Sequence, residues 1–265
     1  MKSLTVEEIK QKQLYILDEV VKFCNDNNIT YFLCGGTLLG AIRHQGYIPW
    51  DDDLDLMMPR EDYEKLIDTF THPAIRLNSS RILNDYYYPF LKAEDKLTEM
   101  TEHTFIGQIR NLGINIDIFP LDVMPAEPKA LRKFLKKMFF LRKCLKLKRI
   151  KITGVKVDDF LRSIGRKIMM RYTVQEMSQK LTTSAMKYKD QDTGFMGIVV
   201  WGYGHKEYCR KEIFASKVEV DFEGKKYFAP VGWDEYLTNV YGDYMQLPPE
   251  EKQVRPHLFE AFERE

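Results

Sequence analysis

The stretch IPWDDDLDLMMP, residues 48–59, places four aspartates within five positions and then becomes apolar. In an extended strand Asp53 and Asp55 project from one face, about 6.6 to 6.8 Å apart along the axis, while Leu54 and Leu56 point the opposite way. Two carboxylates about 4 Å apart repel by roughly 4 kcal/mol at an effective dielectric of about 20. The stretch therefore predicts a core strand that holds carboxylates around a cation.

Helix and strand patterns alternate on both sides of this stretch. A capping box of Thr5 and Glu8 opens the first helical pattern. Isoleucines that alternate with Asn115 and Asp117 indicate a later strand. A strand carrying Lys92, followed by a turn with Lys96, is predicted from YPFLKAEDK. The predicted helices cover 5–26, 35–44 and 60–70, and the predicted strands cover 29–34, 54–58, 88–96 and 114–121.

The second half of the chain begins with a strongly basic segment. Residues 129–151 contain eleven Lys or Arg and no acid, with apolar residues at helical spacing. A second basic helix is predicted after Asp158 or Asp159, and a third at the capping box of Thr173 and Glu176. We therefore expect one domain over residues 1–265, with 126–193 forming a basic helical insertion.

The remaining carboxyl-terminal part returns to strand composition. GFMGIVVWGYG, from Gly194, predicts a strand, and the following VEVDFEGKKYFAPVG predicts a hairpin that turns at Glu223 and Gly224 and continues the sheet. A short helix ended by Gly242 and a proline-rich segment complete the chain.

Composition excludes several classes of protein. The 40 basic and 39 acidic residues nearly cancel, so the whole chain gives no electrostatic reason to expect nucleic-acid binding. Four widely spaced cysteines fit a reducing compartment. No run approaches the roughly 20 apolar residues of a membrane span, and the amino terminus is charged. We expect a cytoplasmic protein.

The aspartates indicate a particular kind of metal site. A neighbouring strand could bring Asp117 to the ions held by Asp53 and Asp55, and such oxygen ligands suit Mg²⁺ or Mn²⁺. Asp51 and Asp52 are interpreted as groups that solvate the loop or support the metal ligands without binding the ion, with Asp52 a possible further ligand. A calcium loop of the EF-hand type is excluded, because Leu56 stands where that loop requires glycine.

Phosphate contacts are predicted just before the aspartates. Gly35 and Gly36, followed by Thr37, form a strand-to-helix junction that allows close backbone approach to a phosphate. Arg43 and His44, at the end of the short helix, could hold phosphate oxygens or simply cap the helix.

These motifs together resemble the nucleotidyltransferase superfamily related to DNA polymerase β and, more narrowly, the LicD family. The resemblance is carried by YFLCGGTLLGAIRHQGYIPWDDDLDLMMPREDYEKL, YPFLKAEDK, INIDIFPLD and YLTNVYGDYMQLPPEEK. It implies an α+β fold with a polymerase-β-like nucleotidyltransferase core and a mixed sheet, to which the helical insertion is added.

The resemblance also implies an activity. LicD proteins transfer phosphocholine from CDP-choline to sugars of teichoic acid or lipopolysaccharide, and the related fukutin proteins transfer ribitol phosphate. By correspondence, Asp53, Asp55 and Asp117 are the metal-binding and catalytic carboxylates, with Asp117 or a metal-bound hydroxide accepting the proton of the attacking hydroxyl. Gly35 and Gly36 match the phosphate-facing turn.

The resemblance leaves other roles and functions open. Lys92 and Lys96 could neutralise the donor diphosphate, or be ordinary surface lysines. The donor could carry another CDP-linked alcohol, the reaction could be nucleotidyl transfer to a protein or small molecule, or the domain could be a non-catalytic scaffold. The basic helix at 129–151 could meet an anionic membrane that presents a lipid-linked glycan acceptor, or could be a solvated face packed by one apolar stripe.

Overall fold

The computed structural model describes residues 2–102, 112–148, 165–254 and 259–264, which form an α+β fold. The helices are α1 Val6–Asp26, α2 Gly35–His44, α3 Arg60–Thr69, α4 Pro128–Leu147, α5 Val174–Ala185 and α6 Trp233–Tyr241. The strands are β1 Phe32–Leu33, β2 Asp55–Pro59, β3 Ile75–Asn78, β4 Leu91–Asp95, β5 Thr98–Glu102, β6 Asn115–Val123, β7 Phe195–Gly197, β8 Cys209–Arg210, β9 Lys217–Phe222, β10 Lys225–Pro230 and β11 Phe259–Glu263.

A mixed sheet with the strand order β1-β2-β6-β4-β3 lies at the centre. Strands β2 and β6 are parallel, and the other neighbours along this path are antiparallel. Strand β7 pairs with the end of β6 and with β8. The parallel pair places the starts of β2 and β6 at the same edge of the sheet, where both carry aspartates.

Helix α1 covers part of this sheet with an apolar face. Its capping box is present, because Glu8 N donates to Thr5 Oγ1 at 3.3 Å and Thr5 N donates to Glu8 Oε2 at 2.8 Å. Ile16, Leu17 and Val20 are fully buried on the side that packs against β4 and β6. The alternation predicted for β2 is also present, since Leu54 and Leu56 are fully buried in the same core.

Two strand predictions were too long and one sheet assignment was wrong. The first strand covers only Phe32–Leu33, because α2 begins at Gly35. The segment from Gly194 forms a strand only over Phe195–Gly197. The hairpin of β9 and β10 does turn at Glu223 and Gly224, both with positive φ, but it forms a separate two-stranded sheet. Its tight turn pairs the two strands with each other and leaves them outside the central sheet.

Helices α4 and α5 share a second apolar core. The stripe of α4 that could have met a membrane packs inward instead, with Leu131, Phe134, Met138 and Leu145 buried. Packing of this stripe against α5 and a cluster of tyrosines removes it from solvent, as the alternative of a helix packed by one apolar stripe predicts. Membrane contact through the rest of this helix stays a prediction. Phe139 and Phe140 of α4 remain exposed.

Parts of the predicted insertion lie outside the described residues. These are the end of the first basic helix at 149–151 and residues 158–164 of the second. The assignment of 126–193 as an insertion in a single domain stays a prediction. Within the described ranges, none of the helices combines the length and the apolar character that crossing a bilayer requires.

Candidate active site

The parallel pairing of β2 and β6 places two aspartates side by side. Asp55 is the register partner of Asp117, so their backbones lie about 4.8 Å apart, and their side chains leave the same face of the sheet. Both line a cavity of about 760 Å³. The sequence prediction that a neighbouring strand brings Asp117 to Asp55 agrees with this arrangement.

The loop before β2 adds further carboxylates. Asp51 and Asp53 line the same cavity, and Asp51, Asp52 and Asp53 each offer an oxygen within 4.8 Å of the others. Asp51 was interpreted as a group of the loop or as a support of the metal ligands, and the structure places it in the lining of the cavity. Asp52 is buried and lines a separate small cavity beside α1, where its carbonyl accepts from Gln13 Nε2 at 2.9 Å.

Mutual repulsion and burial dominate the electrostatics of this cluster. The pKa of Asp55 is raised well above its usual range, first by burial and then by the charges of Asp53 and Asp117. The pKa of Asp51 is raised for the same reasons, with Asp53 as its strongest charged neighbour. A bound divalent cation would remove this penalty, and four converging carboxylates are the hard oxygen ligands that Mg²⁺ and Mn²⁺ prefer. The residues present therefore fit such an ion.

The two glycines that begin α2 leave room for these carboxylates. A Cβ at Gly35 would lie 2.9 Å from Asp55 Oδ2, and Gly35 has a φ of +53°, which favours glycine. A Cβ at Gly36 would lie 2.5 Å from Asp51 Oδ2. Both glycines line the cavity, so the turn predicted to approach a phosphate also accommodates the acidic cluster.

Thr37 and Cys34 position the start of β2. The Thr37 hydroxyl accepts a hydrogen bond from Asp55 N at 2.8 Å, and Cys34 N donates to Asp55 O at 3.2 Å. Thr37 is buried and thus holds the backbone of Asp55. Its predicted contact with substrate stays a prediction.

The two predicted lysines have different partners. Lys92 is buried, forms an ion pair with Asp117 and donates to Asn115 Oδ1 at 3.0 Å, so it supplies positive charge beside the cluster. Lys96 lies in the turn after β4, and its ammonium donates to the carbonyls of His72 and Pro73 at 2.7 and 3.0 Å. This places Lys96 outside the set of residues that line the cavity.

Arg43 and His44 close the end of α2. Arg43 lines the cavity, and its guanidinium donates to Tyr244 O at 2.8 Å and to His44 Nε2 at 2.9 Å. Accepting that hydrogen bond keeps His44 neutral, and the pKa of His44 is lowered first by burial and then by the Arg43 charge. Arg43 therefore ties the carboxyl-terminal segment to the cavity, while its predicted phosphate contact stays a prediction.

Several residues of the cavity were missed by the sequence analysis. They come from the loop after β7 and from the segment around α6, and include Trp201, Tyr203, Glu207, Tyr236, Tyr241, Asp243 and Tyr244. The glycines in WGYG were a turn signal that could have ended the predicted strand earlier. Glu207 carries no such signal, because a single glutamate in a loop is ordinarily exposed.

Residues 28–124 match the family described as LicD/FKTN/FKRP, nucleotidyltransferase domain. The chain is 34% identical over 268 residues to the lipopolysaccharide cholinephosphotransferase LicD of Haemophilus influenzae, covering 99% of each chain. It is also 36% identical over 86 residues to an uncharacterized protein of Rickettsia typhi, covering 31% of this chain and 28% of that one. An uncharacterized protein of Rickettsia prowazekii is 43% identical over 63 residues, covering 23% and 24%.

Proposed function

Because this chain belongs to the LicD family, we propose that it is a phosphotransferase that moves phosphocholine from CDP-choline to a sugar hydroxyl of a bacterial cell-surface glycan. The acceptor would be a precursor of lipopolysaccharide or teichoic acid. One observation carries the proposal: Asp51, Asp53, Asp55 and Asp117 converge on a cavity that a double-glycine turn also lines.

The proposed reaction moves one phosphoryl group, that of phosphocholine, from the donor to the acceptor hydroxyl. The acceptor hydroxyl attacks the phosphorus that bears choline, the bond from that phosphorus to the bridging oxygen breaks, and CMP leaves with the bond's electron pair. The hydroxyl proton passes to a nearby base, for which Asp117 is our candidate. When bound at the carboxylates, Mg²⁺ would supply positive charge that offsets the negative charge of the diphosphate and of the departing CMP.

The chain's own residues have separate tasks in this scheme. Asp51, Asp53, Asp55 and Asp117 would hold the ion. Lys92 pairs with Asp117 and so places a positive charge beside this base. Gly35 and Gly36 admit the donor's phosphates to the backbone of α2, where the amide groups of the helix start favour anions.

A screen of CDP-linked donors tests the proposal. The purified protein would be incubated with CDP-choline, CDP-glycerol or CDP-ribitol and a glycan acceptor, with Mg²⁺ or with EDTA. We expect CMP release from CDP-choline only when Mg²⁺ is present, together with a phosphocholine-bearing product in the mass spectrum. Asp53→Ala and Asp55→Ala should abolish this release and leave the fold intact.

Other products would redirect the assignment. CMP release from another CDP-alcohol alone would retain the reaction and change the transferred group. A nucleotide attached to the acceptor would indicate nucleotidyl transfer, and no reaction with any donor would favour a scaffold. Normal turnover by both alanine variants would sink the assignment of the carboxylates.

A further inference from the structure

The cavity is lined by two chemically different groups of residues. The aspartates come from the loop before β2 and from β2 and β6. A second group comes from the loop after β7 and from α6, and we call Tyr203, Tyr236 and Tyr241 the tyrosine wall. The proposed reaction uses the aspartates and leaves this wall without a role.

Two members of the wall lie at an angle to each other. The ring centroids of Tyr203 and Tyr241 are 6.1 Å apart, with an angle of 63° between the ring planes. Burial raises the pKa of both hydroxyls, and the charge of Asp55 contributes to each rise. The two rings therefore stand close to the aspartates. Tyr203 is 60% exposed and borders the mouth of the cavity.

Glu207 lies behind these rings with one oxygen unsatisfied. Its side chain is only 1% exposed, and Glu207 lines the cavity. Within the described part of the chain, Glu207 Oε2 has no hydrogen-bond partner, and neither has the Tyr236 hydroxyl. Burial raises the pKa of Glu207 to about 7. A buried carboxylate with one oxygen that lacks a hydrogen-bond partner is stabilised by a cation that reaches it from the cavity.

The aspartates and Glu207 are close enough to act on one small ligand. Asp51, Asp53, Asp55 and Asp117 line the same cavity as Glu207, and the buried Cys34 lines it too. In agreement with this, the pKa of the Cys34 thiol is raised by burial, then by the charge of Asp55 and then by that of Glu207. A ligand with a phosphate at the aspartates and a cationic group a short chain away would reach the tyrosine wall and Glu207 together.

The chemistry of the wall selects the kind of cation. A quaternary ammonium has no N–H to donate, so it binds through the faces of aromatic rings and through the charge of a nearby carboxylate. A neutral polyol would instead need several hydrogen-bond partners and would leave the charge of Glu207 unpaired. Trp201 also lines the cavity, but the ammonium of Lys146 already lies over its ring, 4.7 Å from the ring centroid.

We propose that the tyrosine wall and Glu207 form the subsite for the quaternary ammonium group of the donor, and so determine that choline phosphate is the group transferred. This inference rests on the proposed function. It assigns the selection of the transferred group to residues that contact neither the diphosphate nor the reacting phosphorus.

A neutral isostere of the donor tests the subsite. CDP-3,3-dimethylbutanol replaces the ammonium nitrogen of CDP-choline with carbon and keeps its shape. We expect wild type to favour CDP-choline over this isostere by roughly tenfold or more in kcat/KM. Tyr203→Leu should reduce that preference by about 3- to 30-fold, while Tyr203→Phe, which keeps the ring, should retain most of it. Glu207→Gln should reduce it by roughly tenfold.

Matched controls separate this role from loss of folding. Tyr203 is largely exposed, so its replacement should leave the melting temperature almost unchanged. Tyr172→Leu and Glu212→Gln replace exposed residues outside the cavity and should keep the wild-type preference.

Each other outcome has a definite meaning. If Glu207→Gln slows both donors equally, Glu207 acts on the reaction itself and the ammonium subsite is rejected. If wild type releases CMP from both donors with equal efficiency, the subsite falls and the proposed function stands. If it releases CMP from neither donor, both proposals fall.

Discussion

Gly36 decides how the carboxylate of Asp51 is placed. A Cβ at this position would lie 2.5 Å from Asp51 Oδ2, the mobile end of a side chain. Gly36→Ala should therefore push the carboxylate aside and lower kcat/KM by about 10- to 100-fold with little change in melting temperature. Gly194→Ala is the control: its φ of +75° and open surroundings predict a cost of about 1–2 kcal/mol in stability and no loss of activity. Equal activity of the two variants would contradict the placement.

Asp55 is a proposed metal ligand whose charge is expected to destabilise the protein when no metal is bound. Its half-buried carboxylate is repelled by Asp53 and Asp117, so Asp55→Asn should raise the melting temperature of the metal-free protein by a few degrees. The same change should remove the rise in melting temperature that Mg²⁺ gives the wild type. Asp192→Asn, at an exposed ion pair, should alter neither value. An unchanged Mg²⁺ response in Asp55→Asn would argue against metal binding here.

Glu207 should make stability depend on pH. Its pKa is about 7 in the folded protein and 4.5 in a model peptide, so the folded state binds more protons between these values. The free energy of unfolding therefore falls as pH rises from about 4.5 to about 7, by roughly 3 kcal/mol. Urea unfolding of wild type and Glu207→Gln across this range should show that the difference between them changes by this amount. A difference that is constant with pH would contradict the raised pKa.

At the scale of elements, the register of β2 against β6 is what assembles the acidic cluster. A shift of one residue would turn Asp55 into the core and Leu54 or Leu56 into the cavity. Burial of these leucines therefore opposes such a shift, and the apolar residues that surround the aspartates hold the carboxylates in place.

A buried ion pair fastens α3 to the end of β6. Arg60 Nε and Nη2 donate to the two oxygens of Asp122 at 2.8 and 2.7 Å. Arg60→Met leaves Asp122 buried and unpaired and should lower the free energy of unfolding by about 3–5 kcal/mol, whereas Arg60→Met with Asp122→Leu should lower it much less. Arg210→Met breaks an exposed pair with Glu235 and should cost under about 1 kcal/mol. Urea unfolding measures all three, and equal losses from the single and double variants would refute the assignment.

At the scale of the whole molecule, the position of α4 determines how the protein could meet a membrane. Its apolar stripe is used inside the protein, which leaves Phe139 and Phe140 exposed among lysines. We expect flotation with anionic vesicles that is reduced roughly threefold or more when both phenylalanines become serine, and further by salt. Ile82→Ser, at another exposed position, should float like wild type. No flotation of the wild type would reject membrane contact through α4.

Local pattern was sufficient to predict the acidic half of the site. Alternation of charged and apolar residues predicts β2 and β6, and the residues of a strand that share a face follow from its twofold period. Local patterns also predicted the capping box of α1 and the end of α6 at Gly242, and the structure confirms both. Their signals lie within a few residues of the position concerned.

The other half depends on contacts between distant segments. Lys96 and Asp51 show what local pattern does not predict. Lys96 lies outside the site because its ammonium donates to a carbonyl that follows α3. Asp51 lies inside the site because Gly36 has no side chain to occupy that space. The tyrosine wall and Glu207 come together only when the loop after β7 and α6 fold over the aspartates.

The sequence by itself determined the acidic strand, the glycine turn and the family to which they point, because each is written in adjacent residues whose spacing sets their direction. Only the tertiary structure decided which carboxylates share a cavity, where the lysines pair and which aromatic rings face the aspartates. Those outcomes depend on burial and on the approach of segments far apart in the chain, and neither is contained in any local pattern.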